Sequence, residues 1–595
     1  MGNNQNIIKS IFRYAEMSPN AQAILCTDES PLTYHQLLNS ISKIADKLIQ
    51  SGVNKKDRIA LVLKDGPEMA KLFITIAGIA TCAPLNPRYT YDEYKFYLSD
   101  LKAKFIILDD GITSAIEAAK ELGLNILYLS DLRSVWRAKE KPEDHLQEKL
   151  MQSFTGSDDT ALVLHTSGTT ARPKIVPLTH RNLNYSMHNI ASSLKLTNRD
   201  CCLNVMPLFH IHGLVGGLLS SLVTGGSVVC IRGFDPQLFY QNLKEFSPTW
   251  YSAVPSMHQA ILVQGKKGSI SHSLRFIRSS SAALPPQVLA ELESFFEVPV
   301  LEAYGMTEAS HQMAVNPLPP GNRKIGSVGR AAGCEIAIMD QQDQILGLDQ
   351  MGEIVIRGEN VIKGYENNPA ANASNYSNGW FRTGDQGYLD LEGYLYINSR
   401  IKELINRGGE KISPREVDEA ILRHPAVLQV ASFGYPHPTM GEDVAAVIVK
   451  HPDKQVNEKE IRKFLTAYLA NYKIPSKIIF ANEIPKGPTG KIQRVSLAEK
   501  LGIIAVDSHA LEHKNPANEE EKVIAEIWGE VMELQKISTD EDFFSLGGNS
   551  IQVMQILARI HEETSVLLTF EDFFNSATVE ALSFLVQERL KLVNN

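Results

Sequence analysis

The sequence predicts an α/β multidomain protein: a large N-terminal α/β domain, a small α+β unit, and an all-α helical bundle at the C-terminal end. Three observations carry this. The chain has 595 residues, several times the usual domain size, with 44% hydrophobic and 21% charged residues, the balance of a globular protein with a sizeable core. Up to about residue 400, strand-like runs ("RIALVL", "KFIILD", "GSVVCI", "EIVIRG") alternate with amphipathic helical stretches, as in a fold with several parallel strands. From Asn518 onward the apolar period is helical and the charge is acidic: 15 Asp or Glu face 5 Lys or Arg, a net of −10, against −9 for the whole chain.

The elements follow in order. Residues 1–400 carry the alternating pattern. In 393–422, "GYLYINSRIKELINRGGEKISPREVDEAIL", a strand, a charged turn and a glycine pair lead to a helix opening at Ser413-Pro414. A small α+β unit is expected over 401–505. Residues 506–517, "VDSHALEHKNPA", are polar and aperiodic and read as a linker, long enough to span roughly 40 Å when extended. The last unit, 518–595, opens with Asn518 and Glu521 in capping-box spacing. Val523, Ile524, Ile527, Trp528 and Val531 then recur at helical spacing. A second helix starts near Ser550, with Ile551, Met554, Leu557 and Ile560 expected on its apolar side, and "TFEDFFNSATVEALSFLVQERL" supplies the later helices.

Several function classes are disfavoured. No run of about 18 uncharged apolar residues is found, which argues against a membrane span. The start, "MGNNQNIIKSIFRY", lacks a secretory pattern, and Asn6 stands where a myristoylation signal wants Ser or Thr. The cysteines (Cys26, Cys82, Cys201, Cys202, Cys230, Cys334) form no CxxC pair and read as buried free thiols. The acidic tail, beside a first 517 residues of about +1, speaks for docking to basic protein surfaces and against nucleic acid.

"LVLHTSGTTARPKIVPLTH" (162–180) follows an apolar strand and gathers Thr166, Ser167, Gly168, Thr169 and Thr170, whose hydroxyls and backbone N–H groups suit a polyphosphate, with Lys174 adding a point charge. It is not the GxxxxGK[ST] loop. Downstream stand "PLFHIHG", "YGMTE", "GEIVIRG", "WFRTGD", "RIKELINRGGEKISPREVD" and "PKGPTGKIQR". These segments, in this order, resemble the adenylate-forming superfamily of acyl-CoA synthetases, luciferases and nonribosomal peptide synthetase adenylation domains. The resemblance covers nearly all of residues 1–500. Ala171 and Ile175 depart from glycines common in the family's phosphate loop.

The resemblance implies a large adenylate-forming domain, a small mobile subdomain, and ATP and Mg²⁺ as cofactors. A carboxylate attacks the α-phosphate of ATP to give acyl-AMP and pyrophosphate, and the acyl group then moves to a thiol. Such transfer needs positioning and charge neutralisation more than covalent help. The implied roles are Glu308 for Mg²⁺, Thr307 for the α-phosphate, and Tyr304 with Gly305 and the Ser281-Ala282-Ala283 loop around adenine. Asp385 and Arg400 would hold the ribose. Lys491 would bridge carboxylate and α-phosphate. Lys402 falls at the family's hinge, and Gly408 and Gly409 would line a pantetheine tunnel.

"FFSLGGNSIQVMQIL" resembles the attachment site of acyl and peptidyl carrier proteins, in which Ser550 would take 4′-phosphopantetheine at the positive end of a helix dipole. A four-helix carrier bundle follows from that likeness, with Asn549 where Asp or His is commoner. The partners implied are a phosphopantetheinyl transferase and a downstream biosynthetic enzyme. Amino-acid-activating relatives place Asp where this chain has Ile211, so α-amino acids are disfavoured. The closer resemblance is to oxalate–CoA ligase-type enzymes, whose small polar pocket maps onto His210, Ser281 and His311, with His212 nearby. A small polar acid and a short aliphatic or aryl acid both remain open. Release of a free acyl-CoA is the alternative to carrier loading. The end, "LVNN", lacks an SKL-like signal, so a cytoplasmic location is expected.

Overall fold

Two compact units divide the chain between Lys402 and Glu403. The computed structural model describes residues 6–137, 152–166, 173–265, 271–437, 440–486, 492–503, 514–532, 534, 536–541, 543, 546 and 550–593.

The first unit holds three sheets. In the nine-stranded sheet, Gln22–Cys26, Ser227–Cys230, Cys201–Asn204, Trp250–Ala253, Phe276–Ser279 and Val300–Met306 run parallel. Antiparallel Glu29–Thr33 closes one edge, and His311–Val315 with Arg330–Ala331 the other. The six-stranded sheet sets Asn125–Tyr128, Phe105–Leu108, Arg58–Val62, Thr81–Pro84 and Thr160–Thr166 in parallel, then Lys174–Thr179 antiparallel. These strands read as unbroken apolar runs because such sheets are buried on both faces. The helix Pro67–Ile79 is buried along its whole length.

The run "EIVIRG" departs from expectation. Gly352–Arg357 belongs to an antiparallel sheet with Glu335–Met339, Tyr376–Ser377, Trp380–Leu389 and Leu395–Arg400. Parallel pairing needs a crossover of a dozen or more residues, and between Glu335 and Arg400 the one α-helix is the seven-residue Pro369–Asn375.

The small α+β part of the second unit has Gly441–Lys450 between Val427–His437 and Ile405–Arg407, with Glu410–Ile412 beyond and Lys477–Phe480 parallel to it. As the sequence predicts, a helix opens after Ser413, whose side chain accepts from Glu416 N. The all-α part is formed by Glu519–Met532, Ser550–Thr564, Phe570–Asn575 and Val579–Val593. Its core joins Ile524, Ile527 and Trp528 to Phe543, Val553, Ile556, Ile560, Phe573 and Val586. Phe543 packs edge to face on Trp528 and on Phe573, with centroids 5.0 and 4.9 Å apart, and Trp528 lies tilted against Phe573 at 5.8 Å.

Three local expectations change. Glu521 Oε2 accepts from Ala517 N rather than from the backbone of Asn518. Lys514 and Ala517, inside the expected linker, hydrogen-bond to Ser538 and Glu521. On Ser550–Thr564 the buried side is Val553, Ile556 and Ile560, and Met554 is 64% exposed. Two overlapping apolar stripes run along that helix, and the neighbouring helices decide which one turns inward.

Among the described residues, no helix is long and apolar enough to cross a membrane. All six cysteines are free, and burial raises the thiols of Cys82, Cys202, Cys230 and Cys334.

Candidate active site

Three side-chain clusters in the first unit are tied together by one stretch, Tyr304 to His311. It leaves the strand Val300–Met306, turns through Thr307–Ala309 and returns as His311–Val315.

The first cluster surrounds Glu308. Thr166 ends its strand opposite Lys174, the first residue of the antiparallel partner strand. Thr166 Oγ1 donates to Glu308 Oε1 at 3.4 Å, and Tyr365 Oη donates to the same oxygen at 2.8 Å. Lys174 Nζ lies 4.4 Å from the Tyr365 ring centroid. Burial holds the Lys174 ammonium below its usual value; Glu308 opposes this and Lys402 reinforces it. The buried carboxylate, a hydroxyl and an amine suit a magnesium-bound polyphosphate, because Mg²⁺ takes few protein carboxylates and keeps phosphate oxygens and water for the rest.

The second cluster centres on Asp385. Along Trp380–Leu389 burial alternates, which turns Phe381, Thr383 and Asp385 inward together. The antiparallel register sets Asp385 opposite Arg400. Arg400 Nε donates to Asp385 Oδ1 at 2.7 Å, and Tyr304 Oη donates to Oδ2 at 2.5 Å. Burial and the adjacent carboxylate keep the Tyr304 phenol protonated. Gly305 follows Tyr304 and pairs with Gln312.

The third cluster stacks His212 on His311, centroids 4.7 Å apart. His212 opens the π-helical stretch His212–Leu219, a geometry frequent at functional sites. At Gly216 a Cβ would stand 2.6 Å from His311 Nε2, so only glycine leaves room for both rings. His212 Nδ1 meets Ser281 Oγ at 3.0 Å and Nε2 meets Ser252 Oγ at 2.6 Å. Ser281 (φ +73°), Ser310 (φ +52°) and His311 (φ +102°) all hold left-handed backbone, strain that persists where the surroundings enforce it. Behind them lies Arg278, fully buried.

Of the remaining expected residues, Ala282 and Ala283 are exposed, His210 is half-buried against Phe209, and Ile211 is buried. Lys402 is exposed, in the turn Ile401–Glu403. Gly408 (φ +58°) and Gly409 (φ +92°) form the two-residue turn between Arg407 and Glu410, where positive φ at both positions itself calls for glycine. Ser167, Gly168, Thr169, Thr170 and Lys491 lie outside the described residues. The ends of the segment bearing Lys491 pair as Lys486 with Ile492, and Arg494 beyond it is held by Asp418 at 2.7 Å. The helix Ser550–Thr564 begins at Ser550, whose side chain is outside the description.

Sequence reasoning missed Tyr365, Ser252, Gln312 and Arg278. Arg278 carried a signal: it is a lone cation inside "FIRS", a strand buried at every position. Tyr365 follows Gly364 in a loop and had none.

The fold and these clusters define an AMP-binding enzyme, and the chain belongs to that family: the AMP-binding enzyme model matches residues 11–366, its C-terminal domain model 416–491, and a phosphopantetheine attachment site model 522–585. It is thus an ATP-dependent, AMP-forming ligase fused to a phosphopantetheine-attachment domain. Among its relatives, the oxalate–CoA ligase of Saccharomyces cerevisiae is 41% identical over 516 residues, 81% of this chain and 95% of that protein. That of Arabidopsis thaliana is 42% identical over 495 residues, 82% and 96%. The solved o-succinylbenzoate coenzyme A synthetase of Bacillus subtilis, in complex with ATP and a magnesium ion, is 29% identical with a TM-score of 0.72, covering 83% of this chain and 99% of that one.

Proposed function

We propose that this ligase activates a small, non-amino carboxylic acid as acyl-AMP and transfers the acyl group to the thiol of its own carrier domain, as a loading module. One observation carries the proposal: the Glu308, Asp385 and Lys174 clusters and a four-helix bundle with a helix starting at Ser550 occur in one chain.

In the first half-reaction an oxygen of the acid bonds to the α-phosphorus and the bond to the β-phosphate oxygen breaks, releasing pyrophosphate. Asp385 and Arg400 hold the ribose, and Tyr304 and the Ser281-Ala282-Ala283 loop flank adenine. Thr166, Ser167, Gly168, Thr169, Thr170 and Lys174 bind the phosphates, with Thr307 at the α-phosphate. Glu308 would hold Mg²⁺, which supplies charge neutralisation on the phosphates. Lys491 neutralises the two anions that must approach each other. In the second half-reaction the thiol gives up its proton, its sulfur bonds to the acyl carbon and the acyl–oxygen bond to AMP breaks, releasing AMP. Lys402 is the hinge for this step, which the unit boundary after Lys402 supports. Gly408 and Gly409 then line the thiol's path. 4′-Phosphopantetheine on Ser550 would supply a flexible thiol, and its phosphate suits the start of a fifteen-residue helix.

His210, Ile211, His212 and His311 line the acid pocket. Buried Ile211 offers nothing to an ammonium ion, which supports a non-amino acid. Domain limits of 1–400, 401–505 and 518–595, a phosphopantetheinyl transferase, a downstream enzyme docking on the acidic bundle, and a cytoplasmic location complete the proposal. A second reading, release of a free acyl-CoA, is favoured by the names of the relatives.

Intact-protein mass spectrometry of the pantetheinylated chain with ATP, Mg²⁺ and a panel of small acids tests the choice. A gain of one acyl mass that is absent in Ser550→Ala supports self-loading. Acylated CoA with no adduct on Ser550 would overturn it in favour of the second reading.

A further inference from the structure

Arg278 lies in the strand Phe276–Ser279 and is 0% exposed. Among the described residues its hydrogen bonds all go to groups without formal charge or to imidazole: NH1 to His311 Nε2 at 3.0 Å and Ser252 Oγ at 3.2 Å, NH2 to Gln312 Oε1 at 3.0 Å. A weaker approach joins NH1 to His212 Nε2 at 3.4 Å. Its Nε has no partner among the described residues. A buried guanidinium is ordinarily matched by a carboxylate, and here none is bonded to it.

We infer that Arg278 is a positioning residue that makes the acid pocket select substrates carrying a second anionic oxygen group, such as a dicarboxylate or a 2-oxo acid. This rests on the reading that His212, Ser281 and His311 line that pocket.

A guanidinium only donates, and that fixes the order of the chain. Nε2 of His311 accepts from Arg278, so its proton sits on Nδ1. Ser252 Oγ accepts from Arg278 and passes its own hydrogen to His212 Nε2 at 2.6 Å. The His212 proton is then on Nδ1 and is donated to Ser281 Oγ at 3.0 Å. Ser281, half-buried on its strained backbone, is left with a hydroxyl hydrogen to give. The buried cation thus orients Ser252, both imidazoles and the Ser281 hydroxyl, and leaves the Ser281 hydrogen as the donor offered to the acid. An anionic oxygen accepts from Ser281 and lies in the field of the buried charge, whereas an apolar acid leaves the Ser281 hydroxyl hydrogen without an acceptor. Gln312 Nε2, bonded to Ser193 Oγ at 2.9 Å, turns its oxygen to Arg278 and holds the guanidinium plane.

The test is pyrophosphate release by the full chain with ATP and Mg²⁺, comparing kcat/KM for oxalate and malonate with that for propionate. The wild type is expected to favour one of the dicarboxylates by roughly 100-fold. Arg278→Met should abolish most of that ratio, chiefly through KM for the dicarboxylate. Arg278→Lys, which keeps the charge, should restore about tenfold of it. An unchanged ratio in Arg278→Met, or equal loss for both acid classes, would overturn the inference. If Arg278→Met does not fold, Ser252→Ala decides: cutting the relay must lower the ratio, and a retained ratio rejects the role. A wild type that adenylates propionate but no dicarboxylate refutes the selection while leaving the ligase reading intact. Failure to adenylate any acid of a wider panel refutes that reading as well.

Discussion

At the scale of single residues, Asp385 shows how one carboxylate is prepared before any ligand arrives. Its two oxygens are engaged by Arg400 and by Tyr304, donors that fix the carboxylate in one orientation for the ribose-binding role proposed above. Asp385→Asn removes the charge and turns one acceptor into a donor. A charge-assisted hydrogen bond is worth about 1.5–3 kcal/mol, so KM for ATP should rise roughly 10- to 100-fold, measured as pyrophosphate release against ATP concentration. Asp65 is a second case. It accepts from Leu208 N at 2.7 Å and so fastens the start of the Leu208–His210 segment. Burial lifts its carboxyl to about 6, in spite of that hydrogen bond and of Arg88. A raised acid favours the folded state below the unfolded value near 4, and that advantage is lost as pH climbs through about 6. Asp65→Asn should therefore match wild-type stability near pH 4 and exceed it above pH 6, by up to about 3 kcal/mol. Melting curves at both pH values check the sign.

At the scale of elements, register does most of the placing. The strand Trp380–Leu389 alternates, so Asp385 must share the inward side with Phe381 and Thr383. The antiparallel pair Thr160–Thr166 and Lys174–Thr179 brings Thr166 and Lys174 face to face. Both segments stood out in the sequence as the motifs "HTSGTTARPK" and "WFRTGD", whereas the pairing of Thr166 with Lys174 and of Asp385 with Arg400 is set between strands and was not legible in either. The helix Ser550–Thr564 was less legible: its start was evident from Ser550, but its inward side was not, since Met554 and Val553 are equally apolar by type. In the bundle the decisive side chain is Trp528, packed on Phe543 and Phe573. Trp528→Ala leaves a large cavity that costs about 3–5 kcal/mol, which a unit of this size does not survive. The expected result is loss of pantetheine attachment at Ser550, read by mass spectrometry, with pyrophosphate release unchanged.

At the scale of the whole molecule, each unit keeps cores of its own, Ile405 to Ile478 and Ile524 to Val586 being separate clusters in the second. Joining the ligase and the carrier in one chain gives the thiol a local concentration that dilution does not change. Loading of Ser550 should then proceed at a rate independent of protein concentration from about 0.1 to 10 μM, and a Ser550→Ala chain should acylate an added wild-type carrier segment far more slowly. A rate proportional to concentration would show that loading is between molecules.

By itself the sequence determined the α/β, α+β and all-α order, the family motifs, the serine at the start of the helix Ser550–Thr564 and the glycine pair of the Arg407–Glu410 turn. All are written in neighbouring residues: the order of units through hydrophobic period and capping, the motifs through their resemblance to a known family, and the glycine pair through the sterics of positive φ. Only the tertiary structure decided that Glu308 meets Thr166 and Tyr365, that Tyr304 meets Asp385, and that Arg278, bonded to no carboxylate among the described residues, lies behind two stacked imidazoles. Those pairs are separated by tens to more than a hundred residues. Their meeting depends on which strands become neighbours and on what the core leaves room for, and neither is written in any local stretch.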